Sequence, residues 1–288
     1  KHWHWLAYLF SAFGVLTVFG TGNATQVNTI TTAVNSALMN YHVISKDAIP
    51  TSNLIQGIII AVLVALILLG GVKRIAQVTE KLVPFMALFY IVLAIGVILL
   101  NLNRIPSVFV SILEGAFRPS AVTGGIVGSM LMSVKKGVSR GIFSNEAGLG
   151  TGSIAHACAD TKKPVKQGMF GIFEVFTDTI LICTCSALLM LLAPSDKIAG
   201  LQGMDLLQSA MQYHLGEFGV IFIAVILFLF SFSTFIGILF YARSNVAYLF
   251  GDNWLSQTAY KILALIMLFI GGLAAYTFVW DLGDVGIG

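Results

Sequence analysis

"GIFSNEAGLGTG", residues 141–152, sets Ser144, Asn145 and Glu146 among glycines inside a chain that elsewhere reads as lipid-soluble helix. The surrounding span, 126–159, carries Gly137, Gly141, Gly148, Gly150 and Gly152. Each glycine costs a helix about 1 kcal/mol relative to alanine, and the neighbouring polar side chains offer the freed backbone other hydrogen bonds. The stretch therefore predicts a helix that stops and restarts. At membrane depth such a break survives where it is buried in protein or lines a cavity, and it presents half-helix ends and free carbonyls to substrates or ions. The alternative is close packing through small residues, with Asn145 hydrogen-bonded to a neighbouring helix.

Composition places this stretch in a membrane. Of 288 residues, 57% are hydrophobic and 10% charged, and the mean hydropathy is +0.91. Ordinary soluble domains carry about 25% charged residues. Charge-free runs cover 54–72, 82–100, 218–242 and 262–280, each near the roughly 20 residues that cross a bilayer as helix. Helix is the form expected for them, because lipid offers no partner to an open strand edge. Three more polar stretches, 5–38, 126–159 and 166–193, read as further spans. The fold class expected is all-α, a polytopic membrane protein of seven spans with an eighth beginning near Trp280. The chain opens on "KHWHW" without Met and closes on "GDVGIG" as that eighth span begins, so it is expected to be part of a longer protein.

Lys and Arg set the orientation. Lys1, Lys73, Arg74, Lys81, Lys162, Lys163, Lys166, Arg243 and Lys261 fall on one side, and Lys46, Arg104, Arg118 and Lys197 on the other. The richer side is assigned to the cytoplasm. Trp3 and Trp5 read as an interfacial belt at the cytoplasmic end of the first span. The basic residues form no long run, which gives a nucleic-acid partner nothing to bind. Cys158, Cys183 and Cys185 all fall in apolar spans. They read as packing residues, because C-x-C on a helix points its two thiols to different faces. Neither a Ser/His/Asp constellation nor an HExxH motif is found, which argues against a membrane-embedded enzyme.

The segment "RGIFSNEAGLGTGSIAHACADTKKPVKQGMFGIFEVFTDT", 140–179, closely resembles the signature region of the alanine/glycine:cation symporters, the sodium:alanine symporter family. "GGVKRIAQVTEKLVPFMALFYIV" (70–92) and "FGTGNATQVNTI" (19–30) resemble two further family segments. The likeness runs over essentially the whole chain, although the family's aromatic GGPGAxFWMW run is missing. It implies a LeuT-type bundle of two inverted five-helix repeats, present here in part, in a single transmembrane transporter domain over 1–288. The spans would be core helices three to nine and the start of the tenth, with 126–159 as core helix six. It also implies a multi-pass protein of a prokaryotic cell (inner) membrane.

The same resemblance gives the polar spots roles. Gln26, with Thr21, Asn23, Thr25 and Asn28 around it, would face the substrate, or else hydrogen-bond between helices. Ser144 and Asn145 would contact the substrate at the break beside Gly148, with Ile142 and Phe143 as apolar walls, and Ile238 would help to set substrate size. Adjacent hydroxyls Ser233 and Thr234 would coordinate sodium, since oxygen ligands suit a hard cation. The plainer reading has them bonding their own helix. His156, in the IAHA block, reads as a packing and hydrogen-bonding residue. Ile238 stands where many relatives carry Trp, Arg243 where they carry Glu, and Glu174 where they carry a small or apolar residue. Glu174 and Asp178 are four apart and share a helix face. The pair is expected to make transport pH-sensitive, or to be structural, with Asp178 bracing a neighbouring helix and Glu174 facing a vestibule.

These residues together imply a secondary symporter that carries a small neutral amino acid, alanine or glycine, inward with a cation, sodium first, by alternating access. No other cofactor is implied. The competing readings are a proton-coupled transporter of the same fold, a channel, or a membrane enzyme.

Overall fold

The computed structural model describes residues 3–17, 23–117, 125–146, 148–201 and 203–274. Among the described residues every regular element is helical. The first helices are α1 (His4–Thr17), α2 (Thr25–Asn40), α3 (Ile49–Leu69), α4 (Gly71–Leu100) and α5 (Ile105–Phe117). They are followed by α6 (Gly125–Ser144), α7 (Thr151–His156), α8 (Pro164–Val175) and α9 (Cys183–Leu191). The last are α10 (Ser195–Ile198), α11 (Gly203–Leu215), α12 (Glu217–Phe250) and α13 (Trp254–Leu273). A π-helical segment, Phe176–Ile182, joins α8 to α9.

Among the described residues, 5 helical stretches are long and apolar enough to cross a bilayer: Lys46–Leu68, Arg74–Leu100, Pro164–Leu191, Glu217–Phe250 and Trp254–Leu273. The outer faces are apolar as well. On α3, Ile55, Ile58, Ile59, Val62 and Leu66 are exposed while Ile60, Val64 and Leu68 are buried. A helix that is apolar all round suits lipid rather than water outside it. The chain is an integral membrane protein. The stretch 126–159, read from the sequence as a single span, contains two shorter helices, α6 and α7; of 5–38 the structure describes α1 and α2. Residues 18–22, the segment 275–288 with the eighth span at Trp280, and the side chains of Ile142 and Phe143 lie outside the described residues.

The connections differ from those drawn from charge. The charge-free runs 218–242 and 262–280 leave 243–261 as the connection between them, yet α12 runs on to Phe250 and α13 begins at Trp254. Arg243 and Lys261 end an apolar run without ending a helix, because both are good helix formers. What stops α12 is Gly251, in the left-handed region at φ +82°. Asn253 then starts α13 by accepting from the Ser256 N–H at 2.8 Å. The stretch 73–81, between the charge-free runs 54–72 and 82–100, is likewise helical within α4. Two helices, α5 and α11, fall between the stretches read from the sequence as spans.

The chain divides into two compact units, one of 1–88, 202–208 and 215–288, the other of 89–201 and 209–214. In the first, α12 is the centre. At 34 residues it is about 51 Å long at 1.5 Å per residue. α1, α2 and α13 pack against it, and α13 also packs on α3. Val27, Ile30, Val64, Phe235, Leu239 and Leu268 belong to the core between these helices. α2, with Asn23 just ahead of it, is polar and still buried: Asn23, Thr25, Asn28, Thr31 and Asn35 are all at most 5% exposed. Their amides fasten it to neighbours, Asn28 donating to the Ala274 carbonyl at 3.0 Å and Asn23 to that of Ala264 at 3.4 Å. A Cβ on Gly271 would stand 2.4 Å from the Ala24 Cα. Only glycine permits that close a crossing of α2 and α13.

In the second unit α5 packs on α6 and α9, and α7 on α8. Tyr90 and Ser186 share a hydrogen bond of 2.6 Å. The C-x-C thiols separate as expected, Cys183 exposed and Cys185 buried. His214, near the end of α11, donates from Nε2 to the Leu189 carbonyl at 3.0 Å.

Candidate functional site

The helix of 126–159 breaks where the glycines and polar side chains predict. α6 ends at Ser144 and α7 starts at Thr151. Between them Glu146 has φ +56° and Gly150 φ +77°. The second of these costs glycine nothing; the first is a strained position for a non-glycine residue. Glu146 is held there in part by its own carboxylate, which accepts from the Thr151 hydroxyl at 2.6 Å across the break.

The other wall is the π segment. Its wider winding leaves it out of step with the 3.6-residue repeat, and such insertions recur at functional sites. Thr179 accepts a hydrogen bond from the Asn145 amide at 2.7 Å. Asp178 accepts one from the Ser144 hydroxyl, which also lies 3.4 Å from the Cys183 sulfur. Glu174, one turn earlier on α8, takes a different partner: its Oε2 lies 3.3 Å from His156 Nε2. Gln167 Nε2 lies 2.7 Å from the other ring nitrogen of His156. The carboxylates of Glu174 and Asp178 both repel that of Glu146. A cavity of about 1080 Å³ opens beside these groups, with Asn145, His156, Gln167, Glu174 and Thr179 as its main polar lining and Phe176 among its apolar ones.

Within this unit the structure thus brings Ser144 and Asn145 to the π segment and places Asn145 and Glu174 on one cavity wall. Gly148 is exposed in the break. The remaining site residues from the sequence belong to the first unit. Gln26 and Ile238 are half-buried. Ser233 is buried, its hydroxyl donating to the Phe230 carbonyl at 2.9 Å, while Thr234 next to it is exposed. Donation uses the proton of Ser233 and leaves lone pairs on its oxygen.

Over this geometry the profile of the sodium:alanine symporter family matches residues 2–288. The chain belongs to that family. It is 36% identical over 284 residues to the probable sodium/glutamine symporter GlnT of Bacillus subtilis, covering 99% of this chain and 56% of that one. Over 281 residues it is 34% identical to the sodium/alanine symporter AgcS of Methanococcus maripaludis, covering 97% and 58%. A sodium/proton-dependent alanine carrier protein of a Bacillus species is 35% identical over 260 residues, covering 84% and 58%. The chain therefore spans rather more than half the length of these symporter relatives.

Three features of this cavity escaped sequence reasoning. The π segment has no local signature. Thr179 and Gln167 sit among many polar residues and gain meaning only from what they touch. His156 reads from the sequence as a packing and hydrogen-bonding residue; it does hydrogen-bond, and its place on the cavity wall is what that reading lacks.

Proposed function

We propose that this protein is a secondary symporter that carries a small neutral amino acid, alanine or glycine, inward with sodium by alternating access. The observation that carries this reading is the helix break at 145–150, which places Asn145 on a cavity wall in a chain of the sodium:alanine symporter family. Broken helices at membrane depth supply backbone groups and half-helix ends to zwitterionic substrates. Ser144, Asn145 and Gly148, with Ile142 and Phe143 as apolar walls, are the proposed substrate contacts in the second unit, and Gln26 and Ile238 in the first. Ser233 and Thr234 are the proposed sodium ligands, oxygen donors suited to a hard cation. Little room for a side chain would select small amino acids by exclusion. The relatives' names span alanine and glutamine, so the walls around Asn145 and Ile238 are where specificity would be set.

The proposed architecture is a LeuT-type bundle of inverted repeats, its helices corresponding to core helices three to nine and the start of the tenth. The proposed location is the inner membrane of a prokaryote, the 73–81 segment facing the cytoplasm. No chemistry on the substrate is part of this reading.

Uptake of radiolabelled alanine into proteoliposomes, with and without an inward sodium gradient, tests it. Accumulation above the external concentration, driven by sodium, is expected. Equilibration without coupling would make it a channel, and conversion of the label into another compound would make it an enzyme.

A further inference from the structure

His156 holds chemistry that the substrate and sodium contacts do not use. Its ring reaches from α7 to α8, and a Cβ at Gly171 would come within 3.3 Å of its Nε2, so the glycine makes room for the imidazole. Gln167 Nε2 stands 2.7 Å from Nδ1, and Glu174 Oε2 stands 3.3 Å from Nε2. An amide nitrogen only donates. Nδ1 therefore accepts from Gln167, and the proton of the neutral ring sits on Nε2, aimed at the Glu174 carboxylate. To take a second proton at Nδ1, the ring needs Gln167 only to turn its amide oxygen inward, a rotation that moves no backbone.

The charged surroundings are acidic. Glu174 is the titratable group that α8 turns to the ring, and Glu146 of the break and Asp178 of the π segment lie near enough to interact with one another or with Glu174. Asp160, Lys162 and Lys163 of the connection to α8, and Lys166 in its first turn, are exposed. The Glu174 side chain is 64% exposed, and it lines the cavity together with His156.

We infer that His156 and Glu174 form a site on the cavity wall at which a proton and a monovalent cation compete. With the ring protonated, imidazolium and carboxylate cancel. With the ring neutral, the carboxylate turns a net negative charge to the cavity and attracts a cation, either sodium or the ammonium group of an amino acid. Cation binding to the protonated pair releases the Nδ1 proton to water, leaving the neutral ring, the carboxylate and the bound cation. Proton and cation each weaken the other's binding by the same factor. This inference rests on the symporter reading.

Two measurements test it. Purified protein in weakly buffered detergent solution near pH 6 is mixed with sodium chloride, with potassium chloride as the ionic-strength control, or with alanine alone, and a pH dye reads proton release. Release with sodium identifies the coupling ion as the occupant; release with alanine alone identifies the substrate ammonium. In proteoliposomes, the sodium or alanine concentration for half-maximal uptake, whichever released the proton, should fall by about tenfold between pH 5.5 and 7.5, as expected where one proton competes with the cation. His156→Gln and Glu174→Gln should both abolish the release and flatten that dependence. Glu174→Gln is an exposed change of the same shape, so it keeps the test open if His156→Gln loosens α7 from α8. Sodium-driven uptake with no proton release and no pH dependence of either half-saturating concentration, or variants that keep the wild-type dependence, would overturn the inference and leave the symporter reading standing. No sodium-driven uptake by the wild type would overturn both.

Discussion

The Asn145 amide donates to the Thr179 hydroxyl at 2.7 Å, tying the end of α6 to the π segment, and both residues line the same cavity. An interhelical bond and a cavity-facing position are thus properties of one side chain. The bond to Thr179 fixes the rotamer of Asn145 on that wall. Asn145→Leu removes a half-buried hydrogen bond worth about 0.5–1.5 kcal/mol and sets an apolar group before the proposed zwitterionic ligand. Alanine binding, measured by titration on the purified protein, is expected to be lost. Thr179→Val, which keeps Asn145 and removes its hydrogen bond to the π segment, should weaken binding by a smaller factor. Unchanged affinity in both would remove Asn145 from the site.

Ser233 and Thr234 test the ion. Ser233→Ala combined with Thr234→Val deletes the two proposed oxygen ligands, and half-maximal uptake should then need at least about tenfold more sodium, roughly 1.4 kcal/mol in an equilibrium constant. If sodium dependence stays as in the wild type, the Ser233 hydroxyl serves only the Phe230 carbonyl to which it donates.

The crossing of α2 and α13 carries a stability prediction. A methyl group at Gly271 would overlap the backbone of Ala24, so the helices must move apart and loosen the Asn28 bond to Ala274. Gly271→Ala should destabilise the protein by about 1–3 kcal/mol, the usual cost of overpacking. A melting curve in detergent reads this directly, and a melting temperature equal to wild type would show that the crossing has slack.

His214 predicts how stability changes with pH. Burial lowers its pKa from the ordinary 6.5, the hydrogen bond to the Leu189 carbonyl opposes that, and the Arg104 guanidinium lowers it further. The folded protein keeps this ring neutral at a pH where the unfolded chain protonates it. The unfolded state then binds more protons, so stability rises with pH across the window and falls as pH drops below about 6.5. His214→Gln, which retains an N–H for the carbonyl, should lose less melting temperature than wild type on going from pH 7.5 to 5.5. An equal loss in both proteins would mean that other groups set the acid sensitivity.

The membrane helices and the break at Asn145 were legible in the sequence because both follow from local free energies. Apolar runs partition into lipid whatever lies beside them, and glycines with polar neighbours weaken a helix wherever they fall. Local charge misled at 243–261, where Arg243 and Lys261 end an apolar run but not a helix, and the true stop is the backbone angle at Gly251. The partners were a different matter. From spacing alone Glu174 and Asp178 are one helical pair; in the structure Asp178 accepts from Ser144, 34 residues away in the chain, and Glu174 meets His156. The π segment shifts the phase between these carboxylates and the wall they face, and no local propensity announces it. Which face of a membrane helix meets lipid, cavity or another helix depends on groups far off in the chain, so only the tertiary structure decides it.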